Sequence, residues 1–562
     1  MSIERRTPTS HAQLDRVVRD LSQRRRDWVN TGLRERAGFL QACIAAVRTV
    51  AREWVQAGCQ AQRIDPTCPL AGEHWLSGPV VTLRCFRLTA ESLQRGARPQ
   101  PAWSREHQGQ QIVGVVPSGH LEKALFSGVR AEIWIEPGKP ATQGRIYRRK
   151  EAGEEGRGGV ALVLGAGNVS SIAPRDLVHK LFVEDEVVVL KMHPVNEYLG
   201  PIFERAFAPL ILGGYLAIVY GGAETGSYLC RHELVDSIHL TGSHHTHDAI
   251  VWGNDERERA RRKAAGEPVI DKRVTSELGC VSPVIVVPGE WSDGDLDRQA
   301  RSVAGMVVNN ASFNCNAAKA IVLQQGWPQR EQFLERLRGA LAAAPQRYAY
   351  YPGAQERYER FRDRYPDSEP LGGDAQSGCL PWTIIPEVKP ERGEYALTHE
   401  AFCGMVAEVA LPAADPEDFL STATDFVNDA VWGSLSCMLL LDPSVERSLG
   451  ARLQEAIGRL RYGGVAVNSW SGYLFALSAT SWGAYPGNPL TDVRSGIGTV
   501  GNTMLFDHPQ KSVVVAPFGA WPKPVWFPDH RTLASLGERL ADMETAPAWR
   551  RLPRLALAAA RG

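Results

Sequence analysis

The chain lacks a charge imbalance, paired cysteines and long apolar runs. Lys and Arg together number 63, as do Asp and Glu, so nothing favours a nucleic acid or an anionic membrane as a partner. The ten cysteines contain no C-x-x-C pair, which argues against a zinc ribbon and favours a reduced, cytoplasmic compartment. No uncharged apolar stretch approaches the ~20 residues that span a bilayer, and none follows the charged first residues. We therefore expect neither a membrane anchor nor a signal peptide.

The 562 residues exceed one ordinary domain of roughly 100–200 residues, so we expect two or three domains. Apolar positions at helical spacing predict two amphipathic helices within 11–56. Between 158 and 243, β-branched runs alternate with helical segments over short links. This alternation predicts a parallel sheet covered on both faces, as in nucleotide-binding α/β domains. A second alternating series begins at 275 and predicts a second α/β domain.

Three polar residues occupy sequence positions that suit a role in catalysis. The segment NNASFNCNAAKAIVL, 309–323, places Cys315 among small and polar residues before an apolar strand, a setting that suits a nucleophilic thiol. Glu277 precedes a glycine at the start of an apolar run. It is either a buried general base or an ordinary solvated carboxylate. Asn168 ends the strand VALVLGAGN, where its amide either donates to an oxyanion or forms a turn.

Eight segments, in this order, resemble the aldehyde dehydrogenase superfamily. They are GAGN with Asn168, VVVLK with Lys191, GGAETG at 221–226, HLTGS at 239–243, SELGCVSP with Glu277, NASFNCNAAK with Cys315, HEAFCGMVAEV with Glu400, and GGVAVNSW with Asn468. The segments span about 158–470. The N-terminal 110 residues and the tail beyond 520 match the family only in a general way.

The resemblance implies oxidation of an aldehyde to a carboxylic acid with NAD or NADP as cofactor. Cys315 would be the nucleophile, Asn168 and the Cys315 backbone amide would form the oxyanion hole, and Glu277 would activate the hydrolytic water. The residues implied in cofactor binding are Lys191, His193, Thr241, Gly242, Ser243, Glu400 and Phe402. Of these, 241–243 would open a helix that faces the pyrophosphate, because free N–H groups and the helix dipole favour negative charge there.

The resemblance also implies an aldehyde-dehydrogenase-like α/β fold: a Rossmann-type parallel-sheet cofactor domain, an α/β catalytic domain and a small β oligomerisation arm. The predicted divisions are an N-terminal helical region with the first part of the cofactor domain (1–131), the β-hairpin of the arm (132–157), the cofactor domain (158–274), the catalytic domain (275–470), and a return to the cofactor domain with an arm strand near 511–518 and a C-terminal tail (471–562). In relatives the arm joins a partner's sheet, so we expect a homodimer or homotetramer.

Several alternatives stay open. After Lys191 the chain reads MHPVNE, so the carboxylate that many relatives use for the ribose hydroxyls is displaced to Glu197 or absent, and NADP is as open as NAD. A CoA-dependent acylating enzyme or acyl-CoA reductase is the nearest rival, although Glu277 favours hydrolysis. A non-catalytic scaffold is the other rival.

Other features have a structural and a functional interpretation. The histidines of HHTHD, 244–248, are candidate metal ligands, but their place at a helix start favours a structural role, and we predict no metal site. The segment GAGNVS is similar to a dinucleotide fingerprint but lacks the third glycine. Four aromatics, Trp470, Tyr473, Phe475 and Trp482, either line an aldehyde funnel or belong to the core. Residues 345–380 are predicted to be a surface elaboration.

Overall fold

The computed structural model describes residues 6–154, 156–372 and 378–562. Strands β1 to β19 are Trp103–His107, Gln110–Val116, Arg130–Ile135, Gly159–Leu164, Glu186–Lys191, Leu216–Val219, Ser237–Gly242, Arg273–Leu278, Ser282–Val286, Ala318–Gln324, Glu369–Leu371, Trp382–Ile385, Met405–Leu411, Ser436–Leu440, Gly464–Val467, Trp482–Gly483, Gly496–Ile497, Thr499–Val500 and Pro509–Val515. Helices α1 to α22 are His11–Asn30, Leu33–Ala61, Ala71–Trp75, Val81–Gln94, His120–Leu125, Arg145–Glu151, Ile172–Val178, Gly200–Ala206, Ala208–Leu212, Ala223–Arg231, His244–Trp252, Glu256–Ala265, Asp293–Val308, Arg330–Ala343, Ala354–Arg364, Tyr395–Thr398, Pro416–Asp429, Pro443–Leu449, Ala451–Arg459, Gly472–Leu477, Leu533–Thr545 and Leu552–Ala560.

The predicted nucleotide-binding sheet has six strands in the order β17-β8-β7-β4-β5-β6. Neighbours from β8 to β6 are parallel, and β17 adds an antiparallel edge. The N-terminal spacing predicted two helices, which are α1 and α2. Helix α1 packs on β4, β5 and β6, α2 packs on α4, α8 and α9, and both share one apolar core with the sheet. The first sheet therefore draws its cover from the N-terminal helices as well as from its own crossovers.

The second sheet has eleven strands in the order β1-β2-β3-β19-β15-β14-β9-β10-β13-β12-β11. Its middle, from β19 to β12, is parallel and apolar, which is typical of strands that are buried on both faces. Two sheets with helices confirm the α/β class that the alternating pattern predicted.

The β arm differs from its prediction in two ways. Residues 145–151, predicted as the second strand of the hairpin, form helix α6 instead. Gly144 enters this helix with a left-handed φ of 65°, Tyr147 is buried, and three basic residues occupy the last turn, where the helix dipole favours positive charge. The true hairpin partner of β3 is the preceding strand β2, and β19 pairs with both β3 and β15 of the same chain.

The arm thus extends the second sheet of its own chain, whereas we expected it to join the sheet of a partner subunit. The homodimer or homotetramer stays a prediction.

The division between the two sheets falls later than the 274/275 boundary. The segment 275–287, predicted as the start of the second domain, forms two strands in different sheets. β8 completes the first sheet, and the chain crosses to β9 after Gly279, where a Cβ atom would collide with the carboxylate of Glu400. Glu277 therefore sits at the carboxyl end of a first-sheet strand. No helix in the described ranges is both long and apolar enough to cross a bilayer.

Candidate active site

A cavity of about 820 Å³ lies where the carboxyl ends of the first sheet meet the second domain. This is the edge at which open parallel sheets bind their ligands. All of the predicted site residues line the cavity, namely Asn168, Lys191, His193, Thr241, Gly242, Ser243, Glu277, Cys315, Glu400 and Phe402. Residues separated by up to 234 positions in the sequence thus share one surface.

The loop that carries Cys315 has an unusual backbone. Helix α13 ends at Val308, and Asn310, Ala311 and Ser312 follow with left-handed φ angles of 52°, 54° and 66°. Such angles cost of order 1–3 kcal/mol each for residues with a side chain, so surrounding contacts must hold them. Strain of this kind clusters at functional sites, and here it precedes the candidate nucleophile.

Hydrogen bonds of Asn310 hold much of this loop in place, a role that we did not predict from the sequence. Its side-chain amide donates to the backbone carbonyls of Asn168 at 3.0 Å and Phe313 at 3.2 Å. Its side-chain oxygen accepts from Gln62 and from the Tyr350 hydroxyl, both at 3.0 Å. The only sequence signal was an Asn pair five residues before the cysteine, which by itself indicates no partner.

Asn168 is held in one orientation with one donor to spare. Its side-chain nitrogen donates to Phe313 O at 2.9 Å, and its backbone carbonyl accepts from Tyr350 at 3.1 Å as well as from Asn310. An amide carries two N–H groups, so one remains for a bound oxygen atom. A free N–H on the wall of the cavity is the kind of group that serves as an oxyanion donor.

Glu277 is buried, with 2% of its surface exposed, and neither carboxylate oxygen has a hydrogen-bond partner among the described residues. Burial raises the pKa of Glu277 to about 7, and Asp176 adds to this rise. The neighbouring Cys315, Trp482 and Arg175 oppose it only in part. A carboxyl group with a pKa near neutrality is suited to take and return protons at physiological pH.

Burial, followed by the nearby carboxylate of Glu277, raises the pKa of the Cys315 thiol well above its usual value. The resting thiol is therefore protonated and needs a base before it can attack. Among the carboxylates, Glu277 raises the pKa of that thiol the most. The thiol and the carboxylate thus line one cavity, although Glu277 belongs to the first sheet and Cys315 precedes a strand of the second.

A buried cation, Lys319, ties the nucleophile loop to Glu400. Its ammonium donates to the carbonyls of Asn314 at 3.0 Å, Cys315 at 3.3 Å and Ala317 at 3.3 Å. It also lies 3.1 Å from Glu400 Oε1. Burial raises the pKa of Glu400, and Lys319 opposes that rise. We missed Lys319, although a lysine inside the apolar run AKAIVL was a visible signal.

At the far end of the cavity, Lys191 and His193 stand together. Burial lowers the pKa of Lys191 to about 8 and that of His193 to about 4, so the lysine keeps most of its charge at neutral pH and the imidazole is neutral. The Val195 N–H donates to His193 Nδ1 at 3.2 Å, which leaves Nε2 as the donor. Glu197 does not line the cavity but accepts from the Arg6 backbone at 3.1 Å. Among the described residues that line the cavity, no acid at this end therefore replaces the displaced ribose carboxylate.

Ser243 caps helix α11, which begins at His244 as predicted. Its hydroxyl accepts from Thr246 N at 3.2 Å, and the first turn of the helix faces the cavity. The Thr241 hydroxyl points away, because it donates to Asp176 Oδ2 at 3.0 Å. A ligand would therefore meet backbone groups at 241–243 rather than the threonine side chain.

Residues 345–380 are more than a surface elaboration, so that prediction was wrong in part. Tyr351 lines the cavity and its ring lies 5.1 Å from that of Phe402. Arg347 is buried and pairs with Glu73 at 2.9 Å. The tyrosines pack here because the loop folds back over Phe313, a contact that local sequence composition does not reveal.

The structure favours the core interpretation for the four aromatics. None of Trp470, Tyr473, Phe475 and Trp482 lines the cavity. Trp482 is 1% exposed, and the Phe475 ring lies under the Arg175 guanidinium at 4.0 Å. For the histidines of HHTHD, the rings of His244 and His245 lie 3.9 Å apart, at the start of α11.

Comparison with known proteins agrees with these observations. The aldehyde dehydrogenase family matches residues 186–348, a range that holds Glu277 and Cys315. N-succinylglutamate 5-semialdehyde dehydrogenase of Novosphingobium aromaticivorans is 26% identical over 30% of this chain and 32% of its own length. 4-trimethylaminobutyraldehyde dehydrogenase A of Danio rerio is 30% identical over 26% and 25% respectively. The matches thus span about a third and a quarter of these relatives.

The fold is shared more widely than the sequence. Glyceraldehyde-3-phosphate dehydrogenase GapN of Methanocaldococcus jannaschii, solved with NADP, is similar with a TM-score of 0.61 over 92% of this chain and 97% of that one, at 15% identity. The family match, the relatives and this fold agree with the resemblance to the aldehyde dehydrogenase superfamily that the eight segments carry.

Proposed function

We propose that the protein oxidises an aldehyde to a carboxylic acid, with NAD or NADP as the hydride acceptor and a thioester on Cys315 as the intermediate. One observation carries the proposal: a thiol, a buried carboxylate with a pKa near 7 and an oriented amide line a single cavity. A scaffold would have no need for an unsatisfied buried carboxylate, because burying a charge without partners costs free energy.

Each of the three groups has a step to perform. Glu277 takes the thiol proton as the Cys315 sulfur bonds to the aldehyde carbon, and the second N–H of Asn168 donates to the carbonyl oxygen as it becomes negative. After hydride loss the carbon is a thioester. Once it has lost that proton, Glu277 takes a proton from water, whose oxygen attacks the carbonyl while the C–S bond breaks, and it returns this proton to the departing thiolate.

The opposite end of the cavity suits a dinucleotide. The first turn of α11 offers free backbone N–H groups, and Lys191 supplies a positive charge on the same surface. Both favour a diphosphate. Bound there, NAD or NADP would accept the hydride, with Glu400 and Phe402 as candidate contacts of the nicotinamide ribose. The neutral His193 and the absence of an acid from this end leave room for a 2′-phosphate.

The test is an absorbance assay for reduced nicotinamide with a panel of aldehydes and each cofactor. We expect turnover in the wild type and none in Cys315→Ala, because the covalent step is lost. Ser282→Ala is a suitable control: it changes a small buried group that donates to the Cys315 carbonyl at 3.3 Å and leaves the thiol in place.

The same assay separates the rivals. Turnover that requires CoA would mean that the thiol of CoA, rather than water, accepts the acyl group. This result, or reduction of an acyl-CoA, would favour the CoA-dependent rival. No reduced cofactor with any aldehyde would favour a scaffold. Unchanged activity in Cys315→Ala would overturn the proposed nucleophile.

A further inference from the structure

Two neighbouring strands of the first sheet carry polar side chains where an apolar face is expected. Parallel strands buried on both faces are normally continuous apolar runs. In β7 every second residue is polar, namely Ser237, His239 and Thr241, and the same is true of β8, with Arg273, Thr275 and Glu277.

The strand register brings these residues into one row. Ser237 pairs with Arg273, His239 with Thr275, and Thr241 with Glu277. Registered residues of parallel strands, and residues two apart on one strand, point to the same face. The row therefore runs about 13 Å along the sheet, at about 3.3 Å per residue, from Glu277 to Arg273. We call it the polar seam.

Helix α7 and the π-helical turn that follows it, His179–Val183, add acids and imidazoles to the polar seam. Asp176, which is fully buried, accepts from Thr241 at 3.0 Å and lies 3.5 Å from His239 Nε2. His239 Nδ1 contacts Thr275 Oγ1 at 2.9 Å. One helical turn beyond Asp176, His179 Nε2 lies 3.5 Å from Glu184 Oε1.

The far end of the polar seam reaches solvent. Glu184 pairs with Arg273, whose side chain is 50% exposed, at 2.5 Å, and with the buried Lys180 at 2.5 Å. Glu186 lies beside them and accepts from Ser237 at 2.8 Å. The row thus extends from a buried carboxylate, past acids and imidazoles, to a surface ion cluster.

The atoms along this path are not saturated. Among the described residues, Glu277 Oε1 and Oε2, Asp176 Oδ1 and His179 Nδ1 are buried and have no hydrogen-bond partner. Buried polar groups are almost always paired, so each exception needs an explanation. Groups that pass protons need free capacity, because each must accept on one side and donate on the other.

We propose that the polar seam is a proton exit, in which protons collected by Glu277 leave through Asp176, His239 and His179 to Glu184 and the solvent. The inference rests on the proposed function. Each turnover withdraws two protons at this site, one from the Cys315 thiol and one from the hydrolytic water, and the second returns to the thiolate that leaves. Glu277 takes each in turn and must lose the first before it can take the second.

The charged groups around the path are compatible with this direction. Arg175, on the same helix as Asp176, lowers the pKa of Glu277, whereas Asp176 raises it. Burial lowers the pKa of His179, with Glu184 opposing and Lys180 and His239 adding to the shift. His179 is therefore neutral at rest and carries a proton only in transit.

The experiment compares Asp176→Asn and His179→Gln with the wild type in stopped-flow and steady-state assays. His530→Gln is the matched control, since His530 is also buried, with its pKa lowered to about 4, and lies apart from the polar seam beside the C-terminal Gly562. We expect an unchanged first burst of reduced nicotinamide in both seam variants. Steady-state turnover should fall by about tenfold or more, with a larger solvent isotope effect, because hydrolysis cannot begin until Glu277 has lost its first proton.

A second variant guards against a purely structural loss. His179→Ala leaves space for a small base, so added imidazole should raise its turnover but not that of the control. Seam variants that keep wild-type turnover and isotope effect, or that lose burst and turnover equally without rescue, would overturn the proton exit while the oxidation stands. A wild type that forms no reduced nicotinamide under any condition would instead refute the proposed function, and the exit with it.

Discussion

The two sheets bury charge in opposite ways. In the second sheet, Lys511 donates to three carbonyls, those of Ile457 at 2.9 Å, Gly458 at 3.0 Å and Leu460 at 2.5 Å, and Lys319 is similarly saturated. In the first sheet, Glu277 has two oxygens without partners among the described residues, and Asp176, on the neighbouring helix α7, has one. Both kinds of group are buried, so burial alone does not distinguish a structural charge from a chemical one. The remaining hydrogen-bond capacity does.

The comparison predicts that saturated groups carry stability and unsaturated ones carry activity. A fully bonded buried ion holds its neighbours in place, and its loss leaves several acceptors unpaired. An unsaturated one destabilises the fold and persists where its reactivity is used. Substitutions in the two sheets should therefore separate the two effects.

The largest expected effect is on turnover in Glu277→Gln. The amide cannot accept a proton, so the first hydride transfer should be slowed and the hydrolysis of any thioester that forms should fall by about 10²–10⁴-fold. The measurement is steady-state turnover, together with mass spectrometry of the trapped acyl-enzyme. Glu408→Gln is the contrast, because Glu408 is also buried but is bonded to Arg330 at 2.6 Å. Normal turnover in Glu277→Gln would remove the base from the proposed reaction.

The same variant should change stability in a pH-dependent way. The pKa of Glu277 is about 7 in the fold against the usual 4.5 of a glutamate, so the folded chain holds this proton more tightly than the unfolded chain does. Its contribution to stability is therefore lost as pH rises from about 4.5 through about 7, by about 3 kcal/mol, and stays lost above that range.

Glu277→Gln should consequently match the wild type at pH 4.5 and exceed it in stability at pH 8. Urea unfolding at the two pH values measures the difference. A variant less stable than the wild type at pH 8 would contradict the picture of an unsatisfied carboxylate.

The smallest expected effect on chemistry comes from Lys511→Met. Three carbonyls would lose their donor, and we expect a loss of about 2 kcal/mol in unfolding free energy after the relief of a buried cation is counted. Turnover per folded molecule should be unchanged, because Lys511 lies on β19 with its ammonium against the last turn of α19 and does not line the cavity. Chemical denaturation and an active-site titration would check both statements. A fall in turnover at constant folded fraction would contradict the claim that saturated buried groups contribute to stability and not to activity.

Much of the fold and of the candidate site was predictable from short segments. Alternating apolar runs predicted the parallel strands, because the spacing of apolar residues differs between strands and helices and is visible within each segment alone. The segments around Asn168, Glu277 and Cys315 indicated their residues because a polar side chain at the end of an apolar run is locally conspicuous. Helix α6 was mispredicted because Ile146 and Tyr147 look strand-like when read alone.

The supporting contacts were not predictable in this way. Asn310, Tyr350 and Gln62 meet across 288 positions, and nothing in their neighbours marks them as partners. The polar alternation in β7 and β8 was visible, but its meaning depends on the register that pairs His239 with Thr275 and on the helix that covers them.

The sequence by itself determined which elements form and which residues carry reactive groups, because hydrophobic periodicity and side-chain chemistry are local properties. Only the tertiary structure decided which reactive groups meet, which buried ions are saturated and where Glu277 lies relative to solvent. Those features depend on packing between distant segments, and the energy of a buried charge is set by every neighbour that surrounds it.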